Sequence, residues 1–290
     1  MTVPVIDAHH HLWQLRDGEY SWLRSMPELV HDFTAEDFLP LIRDAGVDAT
    51  ILVQAIETEA ETVQMLAWAE QHRWIAGVIG WVDLSAPDAG ERVDWLASAQ
   101  RAVGLRNWAM TRTNPEWLSE PALDAGFAAL AASRLTYDAL VNPFNLNALR
   151  TRMKRSPGLR LCIDHLAYPD PHWDRGSQQE RDWIEHLSAL ASEGSTIKLS
   201  GFGHKLDGRW DPAPFRRFVD LAMDIFGPAQ IIWASNWPTV LTECGYRDWY
   251  DASRNWTALL SDDEQREIFG GTALKFYRLS AIEPALRSSP

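Results

Sequence analysis

Short apolar runs rich in β-branched residues alternate with longer, helically spaced apolar patterns over nearly the whole chain. The runs fall at 3–7, 49–55, 75–84, 102–108, 135–141, 159–167, 196–201 and 231–235. They read as continuous hydrophobic stretches rather than strict alternation, as expected of strands buried on both faces of a parallel sheet. The segments between them read as helices. Over 178–192, Trp183, Ile184, Leu187, Leu190 and Ala191 share one face, with Ser177 as N-cap and Gly194 just past the end. Thr34-Ala35-Glu36-Asp37 and Ser261-Asp262-Asp263-Glu264 have the spacing of capping boxes, and Asp211-Pro212 places a cap before proline at the first helical position. No linker, repeat or composition break divides the chain. Eight units of about 36 residues each match an α/β fold of the (β/α)₈ TIM-barrel type, predicted as a single domain over 1–280 with a tail at 281–290. A doubly wound open sheet would want a glycine-rich phosphate loop after an early strand. The turn after Ile6-Asp7 offers histidines instead.

Composition narrows the partners. The chain has 290 residues, 46% hydrophobic, with 40 acidic against 27 basic side chains and a net charge of -13. That balance argues against nucleic acid and anionic membrane, both of which reward Lys/Arg clusters. The two cysteines exclude a disulfide framework and a cysteine zinc site. The start Met1-Thr2-Val3-Pro4-Val5-Ile6 lacks a basic n-region, and no apolar run approaches the roughly 18 residues of a membrane span. A cytoplasmic, small-molecule protein is the expectation. Fifteen tryptophans, against ten Phe and six Tyr, are the unusual feature.

In a barrel, chemistry sits at the C-terminal ends of the strands. The first run ends Asp7-Ala8-His9-His10-His11. On an extended chain His9 and His11 point the same way, into the mouth, and His10 points outward. Such a pair can hold a divalent cation or polarise a substrate oxygen, or it can be a structural cluster. Gln54 ends the second run and Trp81 lies in the third. Arg106, near the end of the fourth beside Trp108, suits a carboxylate or lactone carbonyl, or an ordinary ion pair. The fifth carries no histidine. Asp164-His165 ends the sixth, with His165 either a proton shuttle or a core histidine. Lys198 lies inside the apolar seventh run, where burial demands a partner or a ligand. The eighth ends Ser235-Asn236-Trp237-Pro238, with Trp237 suited to an apolar wall beside a ring-shaped ligand, or to capping the rim.

Taken together, Asp7-Ala8-His9-His10-His11-Leu12-Trp13, Gly80-Trp81-Val82-Asp83, Val103-Gly104-Leu105-Arg106, Tyr137-Asp138-Ala139-Leu140-Val141, Asp164-His165-Leu166, Lys198-Leu199-Ser200-Gly201 and Ser235-Asn236-Trp237-Pro238 resemble the amidohydrolase superfamily. The likeness is to its amidohydrolase 2 type, in the branch of sugar-lactone hydrolases, and it spans essentially the whole chain. The resemblance implies hydrolysis of a cyclic ester, often a sugar aldonolactone. His9, His11 and His165 would be its first- and sixth-strand histidines, and Arg106 and Lys198 candidate substrate binders. Trp13, Trp81, Trp108 and Trp237, near strand ends, suit a carbohydrate ring or a flat lactone, and Gln54 is a further candidate substrate contact. The eighth-strand position, Asn236, would hold the group that activates water.

Asn236 departs from the family, which has Asp in a Ser-Asp-Trp-Pro run. A carboxylate takes a proton from water, whereas an amide only orients it. Three readings follow: an inactivated Asp-to-Asn variant, a homologue that binds without hydrolysing, or an enzyme in which His165 or another group is the base. The metal set is also thin, with His9 and His11 as ligands and no fifth-strand histidine. The expectation is no required cofactor, or one divalent zinc bound weakly. The rivals on the same scaffold are a metal-dependent decarboxylase of an aromatic or muconic acid and a non-catalytic ligand-binding protein.

Overall fold

In the computed structural model, which describes residues 3–17, 19–201 and 210–279, the eight runs pair in chain order as parallel neighbours of one sheet. The strands are β1 (Ile6–His10), β2 (Ala49–Val53), β3 (Ile75–Gly80), β4 (Ala102–Trp108), β5 (Thr136–Leu140), β6 (Leu161–Ile163), β7 (Thr196–Leu199) and β8 (Ile231–Trp233). Helices α1 (Ala35–Ala45), α2 (Glu59–Gln71), α3 (Ala89–Ser98), α4 (Asp124–Ala132), α5 (Leu146–Arg155), α6 (Gln178–Ser192), α7 (Ala213–Phe226) and α8 (Tyr246–Trp256) alternate with them. Two short helices follow, α9 (Asp262–Arg266) and α10 (Thr272–Phe276), joined by a π-helical turn over Glu267–Gly271. This is the predicted barrel. The predicted tail at 281–290 lies outside the described residues. No helix among the described residues is long and apolar enough to cross a membrane.

The boundaries move for local reasons. β4 matches its run. β1 starts three residues late, because Val5 spends its carbonyl on the amides of Asp48 and Ala49 before the strand proper begins. β3 stops at Gly80, where the Trp81 amide leaves the sheet for Thr62 Oγ1, 2.9 Å away. β6 is cut to three residues because Asp164–Ala167 turn sharply. The capping signals hold: Ser177 Oγ accepts from the Glu180 amide and Asp211 Oδ1 from the Ala213 amide, and capping boxes form at Thr34 and Ser261.

The core has two layers. Most buried apolar side chains lie between the strands and the helix ring. A smaller cluster fills the barrel's interior: Ile6, Ala8, Ile51, Val53, Ile79, Val103, Cys162, Ile232 and Ala234, joined by Ala273 of α10 and Tyr277 just after it. The C-terminal helix thus plugs the end of the barrel opposite the mouth. Gly270 makes that docking possible, since a Cβ there would stand 1.8 Å from the Pro4 carbonyl oxygen. Gly270→Ala is therefore expected to cost about 3 kcal/mol of folding stability by forcing the backbone apart. Equilibrium denaturation measures this, and a cost under about 0.5 kcal/mol would show that the plug docks loosely.

Candidate active site

The site is built on the seam that closes the barrel. β1 and β8 do not pair along their length. They meet at the mouth, where the Asn236 amide donates to the His9 carbonyl (2.8 Å) and the His11 amide to the Trp237 carbonyl (2.7 Å). Deeper in the seam a side chain replaces the ladder, the Ser235 amide donating to Asp7 Oδ1 at 2.9 Å. β1 carries one extra residue against β2, because Asp7 pairs with Thr50 but His10 pairs with Leu52. This bulge reverses the alternation. Ile6 and Ala8 face the barrel's interior, and so do His9 and His11 beyond the bulge. His10 turns out, bonded to Thr50 Oγ1 and stacked on Phe38.

His9 Nε2 and His11 Nε2 lie 3.2 Å apart. His11 Nδ1 is 2.8 Å from the Val53 carbonyl, which can only accept, so this nitrogen carries the proton and Nε2 the lone pair. Beneath and beside His9 runs a buried ionic cluster. Lys198 Nζ donates to Asp138 Oδ2 (2.6 Å), pairs with Asp164 Oδ1 (3.0 Å) and lies 3.1 Å from His9 Nδ1. Arg106 Nη1 reaches Asp164 Oδ2 at 3.3 Å and stands 3.1 Å from His9 Nε2, while Nη2 donates to the Gln54 carbonyl. Gln54 Oε1 in turn accepts from Trp108 Nε1 at 3.1 Å. Arg106 Nε has no partner among the described residues.

His165 is placed by unusual backbone. His165, Leu166, Ala167 and Tyr168 all have positive φ, between 49° and 58°. Four such residues together cost on the order of 1–2 kcal/mol each. The turn is held by Trp183 Nε1 donating to the Leu166 carbonyl at 3.0 Å. Its result is that His165 and Tyr168 both reach the mouth, with His165 Nδ1 2.6 Å from Ser200 Oγ. Asn236 is left-handed too, at φ 60°, a conformation its short polar side chain tolerates. Its Nδ2 donates to the Gly201 carbonyl at 3.2 Å, which turns Oδ1 the other way.

Burial dominates the electrostatics. It pushes His165 down to about 3, with Asp164 opposing and Arg106 reinforcing. It likewise holds His9 and His11 well below the usual range, Lys198 adding to the effect on His9 and Arg106 to that on His11. All three imidazoles are neutral at neutral pH. Burial would raise Asp164, but Lys198 and His9 overcome it and hold the carboxylate ionised.

A cavity of about 190 Å³ opens over this cluster, lined by His11, Arg106, His165, Tyr168 and Asn236 on the polar side and by Trp22, Met26, Ala55, Trp108, Met110 and Leu140 on the apolar side. Of the residues singled out in the sequence, His11, Arg106, Trp108, His165 and Asn236 line it. His9 and Gln54 sit just behind, bonded to the lining, and Lys198 lies one step deeper, against His9. Two tryptophans do not reach it. Trp237 is stacked on Phe38 in the core, ring centroids 4.5 Å apart, and Trp81 lies outside the lining. Trp13 is fully buried as well. Trp22, Tyr168 and Asp138 were missed, since nothing in the local pattern separates them from core or rim residues.

A divalent cation would find suitable spacing here but not suitable hydrogen bonding. Two imidazole nitrogens on one tetrahedral ion lie about 3.3 Å apart, and the His9–His11 spacing of 3.2 Å suits that. His9, Asp164 and His165 also offer ligand atoms within 4.8 Å of one another. The hydrogen bonding does not fit. Ligation through His9 Nε2 would put its proton on Nδ1, against the Lys198 ammonium, and Arg106 Nη1 already stands at Nε2. The carboxylate of Asp164 is committed to both cations.

Comparison with known proteins gives the class. The amidohydrolase family model matches residues 6–279, and the chain belongs to that family. It is 32% identical to an L-fucono-1,5-lactonase of Burkholderia ambifaria over 94% of this chain and 95% of that protein. It is 31% identical to an L-fucono-1,5-lactonase of Burkholderia multivorans, with 97% of each covered. A crystal structure of an amidohydrolase from Burkholderia multivorans with bound zinc superposes with a TM-score of 0.87 at 29% identity, covering 96% of this chain and all of that one.

The wall that carries Ala55 hangs on Glu61. Its Oε2 accepts from the amides of both Ala55 and Ile56 at 2.9 Å. Burial raises Glu61 to about 7, against the pull of those amides and of Arg106. A raised folded pKa binds a proton that the unfolded chain has already released. Its contribution is therefore fully present below the ordinary 4.5 and lost as pH rises through about 7. Glu61→Gln keeps the acceptor without the charge. Between those limits the wild type is expected to lose on the order of 3 kcal/mol relative to the variant in denaturant titrations. Parallel profiles would show that Glu61 does not titrate there.

Proposed function

We propose that the chain hydrolyses a lactone, with a sugar aldonolactone as the substrate class. One observation carries the reading: the Arg106 guanidinium lines a small cavity together with neutral histidines and the Asn236 amide. A charged guanidinium is a strong hydrogen-bond donor to a ligand oxygen. Its apolar side suits the face of a monocyclic ring. The lactonase relatives support the reaction class, and their printed substrate makes L-fucono-1,5-lactone the first compound to try.

In this mechanism the lactone carbonyl lies against Arg106, with His9 behind it, where charge on the developing oxyanion is stabilised. Asn236 Oδ1 accepts a hydrogen bond from water and aims it at the carbonyl carbon. The acyl C–O bond of the ring then breaks, and the ring oxygen leaves with a proton relayed through His165 or His11. Water loses its proton to a neutral imidazole, and burial makes these imidazoles poor bases. The chain is accordingly a slow hydrolase, limited at position 236. No step runs through a metal, because the donor set does not fit one. A metal-dependent decarboxylase is disfavoured on the same ground.

Asn236→Asp is expected to raise kcat/KM on aldonolactones by roughly 10²–10⁴-fold, the usual worth of a general base. A panel of 1,5- and 1,4-lactones, followed by proton release, measures it in both chains. Saturable lactone binding without turnover in either chain would leave a binding protein and sink the hydrolase reading.

A further inference from the structure

We infer that Lys198, seated by Asp138 and Tyr277, is a positioning residue that holds His9 as its Nε2–H tautomer, so that the first-strand pair is joined by a hydrogen bond and does not offer two chelating lone pairs. What the pair does for a substrate rests on the lactone reading above; the tautomer does not.

Donors and acceptors around the His9 ring select the tautomer. An ammonium has three N–H donors and no acceptor. Lys198 Nζ has three groups within reach: Asp138 Oδ2 at 2.6 Å, Asp164 Oδ1 at 3.0 Å and His9 Nδ1 at 3.1 Å. All three accept only if His9 Nδ1 carries its lone pair. The proton of the neutral ring then sits on Nε2, facing His11 Nε2 at 3.2 Å. That nitrogen is a lone pair, because His11 Nδ1 must donate to the Val53 carbonyl. Arg106 Nη1 donates to Asp164 Oδ2 at 3.3 Å, and its approach to His9 Nε2 at 3.1 Å is a donor-against-donor contact that this tautomer leaves.

The opposite tautomer would let Arg106 Nη1 donate to His9 Nε2, but it fails at two other places. It sets an Nδ1–H against the ammonium, and it sets the two Nε2 lone pairs against each other. Its own compensation, Nδ1–H toward Asp164 Oδ1, spans 3.4 Å, longer than an ordinary N–H···O bond. A metal-bound His9 would need this disfavoured form, since ligating histidines donate their other N–H to a carboxylate or carbonyl. Here a lysine holds that position.

Lys198 cannot swing away. It is fully buried, and its partner Asp138 is pinned by Tyr277 Oη donating to Oδ2 (2.7 Å) and Thr136 Oγ1 to Oδ1 (3.1 Å). Tyr277 belongs to the C-terminal plug. The relay therefore runs from the closed end of the barrel through Asp138 and Lys198 to His9, and out to His11 at the mouth.

The test reads the tautomer directly. In protein labelled with ¹⁵N-histidine, long-range ¹H–¹⁵N correlations report which ring nitrogen carries the proton, and His9→Gln identifies the His9 signals. The expected wild-type result is neutral His9 protonated on Nε2. In Lys198→Met the proton is expected to move to Nδ1, and zinc affinity, measured by competition with a chromophoric chelator, to rise roughly 10–100-fold. Should Lys198→Met fail to fold, the wild-type spectrum decides, together with Tyr277→Phe, which is expected to raise zinc affinity in the same direction by less. Nδ1–H in the wild type, stoichiometric zinc in the purified protein, or an unmoved tautomer in Lys198→Met would overturn the inference. If the tautomer is as expected but no lactone is turned over by this chain or by Asn236→Asp, the lactone reading falls and the inference about His9 stands.

Discussion

The arrangement of the mouth depends on how β1 meets β8. A closed barrel needs every strand edge paired, yet here the last pairing is made by two backbone hydrogen bonds at the mouth and one side chain, Asp7, below them. The extra residue in β1 makes this possible. Without it, the parity that buries Ile6 and Ala8 inside would turn His9 and His11 into the helix layer and bring His10 inward. The same bulge bonds the histidine segment directly to Asn236. Candidate chemistry and barrel closure therefore share one set of atoms.

Below that seam the barrel does something a purely apolar core would not. It places Lys198, Asp138 and Asp164 in its interior at no exposure, alongside Arg106. Buried ion pairs repay their desolvation only when geometry and further hydrogen bonds are good. Here two cations meet two carboxylates, and Tyr277, Thr136 and Gln54 add further bonds. Such a network is a poor way to gain stability and a good way to hold polar groups still. The groups it holds are His9 and Arg106, which touch the cavity or the residues lining it.

Much of this was legible in the sequence. The eight runs gave the barrel because buried parallel strands leave continuous apolar stretches, and His9, His11, Arg106, His165 and Asn236 were visible as polar residues breaking those stretches at their ends. The bulge was not legible. Strict alternation aims His9 and His11 together, but only the pairing with β2 shows why that face is the inner one. The tryptophans misled for a different reason. Trp237 and Trp13 are near strand ends in sequence, yet stacking on Phe38 and packing among Tyr20, Trp22 and Phe33 draw them into the core. Trp22, from the long loop after β1, supplies the wall instead, and loop geometry has no period to read.

The left-handed run at His165–Tyr168 shows what the site demands of the fold. A strand continuing past Ile163 would carry His165 beyond reach of Ser200 and send Tyr168 away from the mouth. Several kcal/mol of backbone strain reverse the chain within four residues, and the buried indole of Trp183 holds the reversal. Strain of that size survives only where surrounding contacts over-determine it. It concentrates here in the one turn that sets a neutral histidine opposite Asn236. The same turn places the Asp164 carboxylate between two cations, so a change in its backbone would disturb the charge cluster and the cavity wall together. Position 236 is thus the least entangled member of the site. Among the described residues its side chain makes a single hydrogen bond, to Gly201, and its identity can change without unpicking the network beneath.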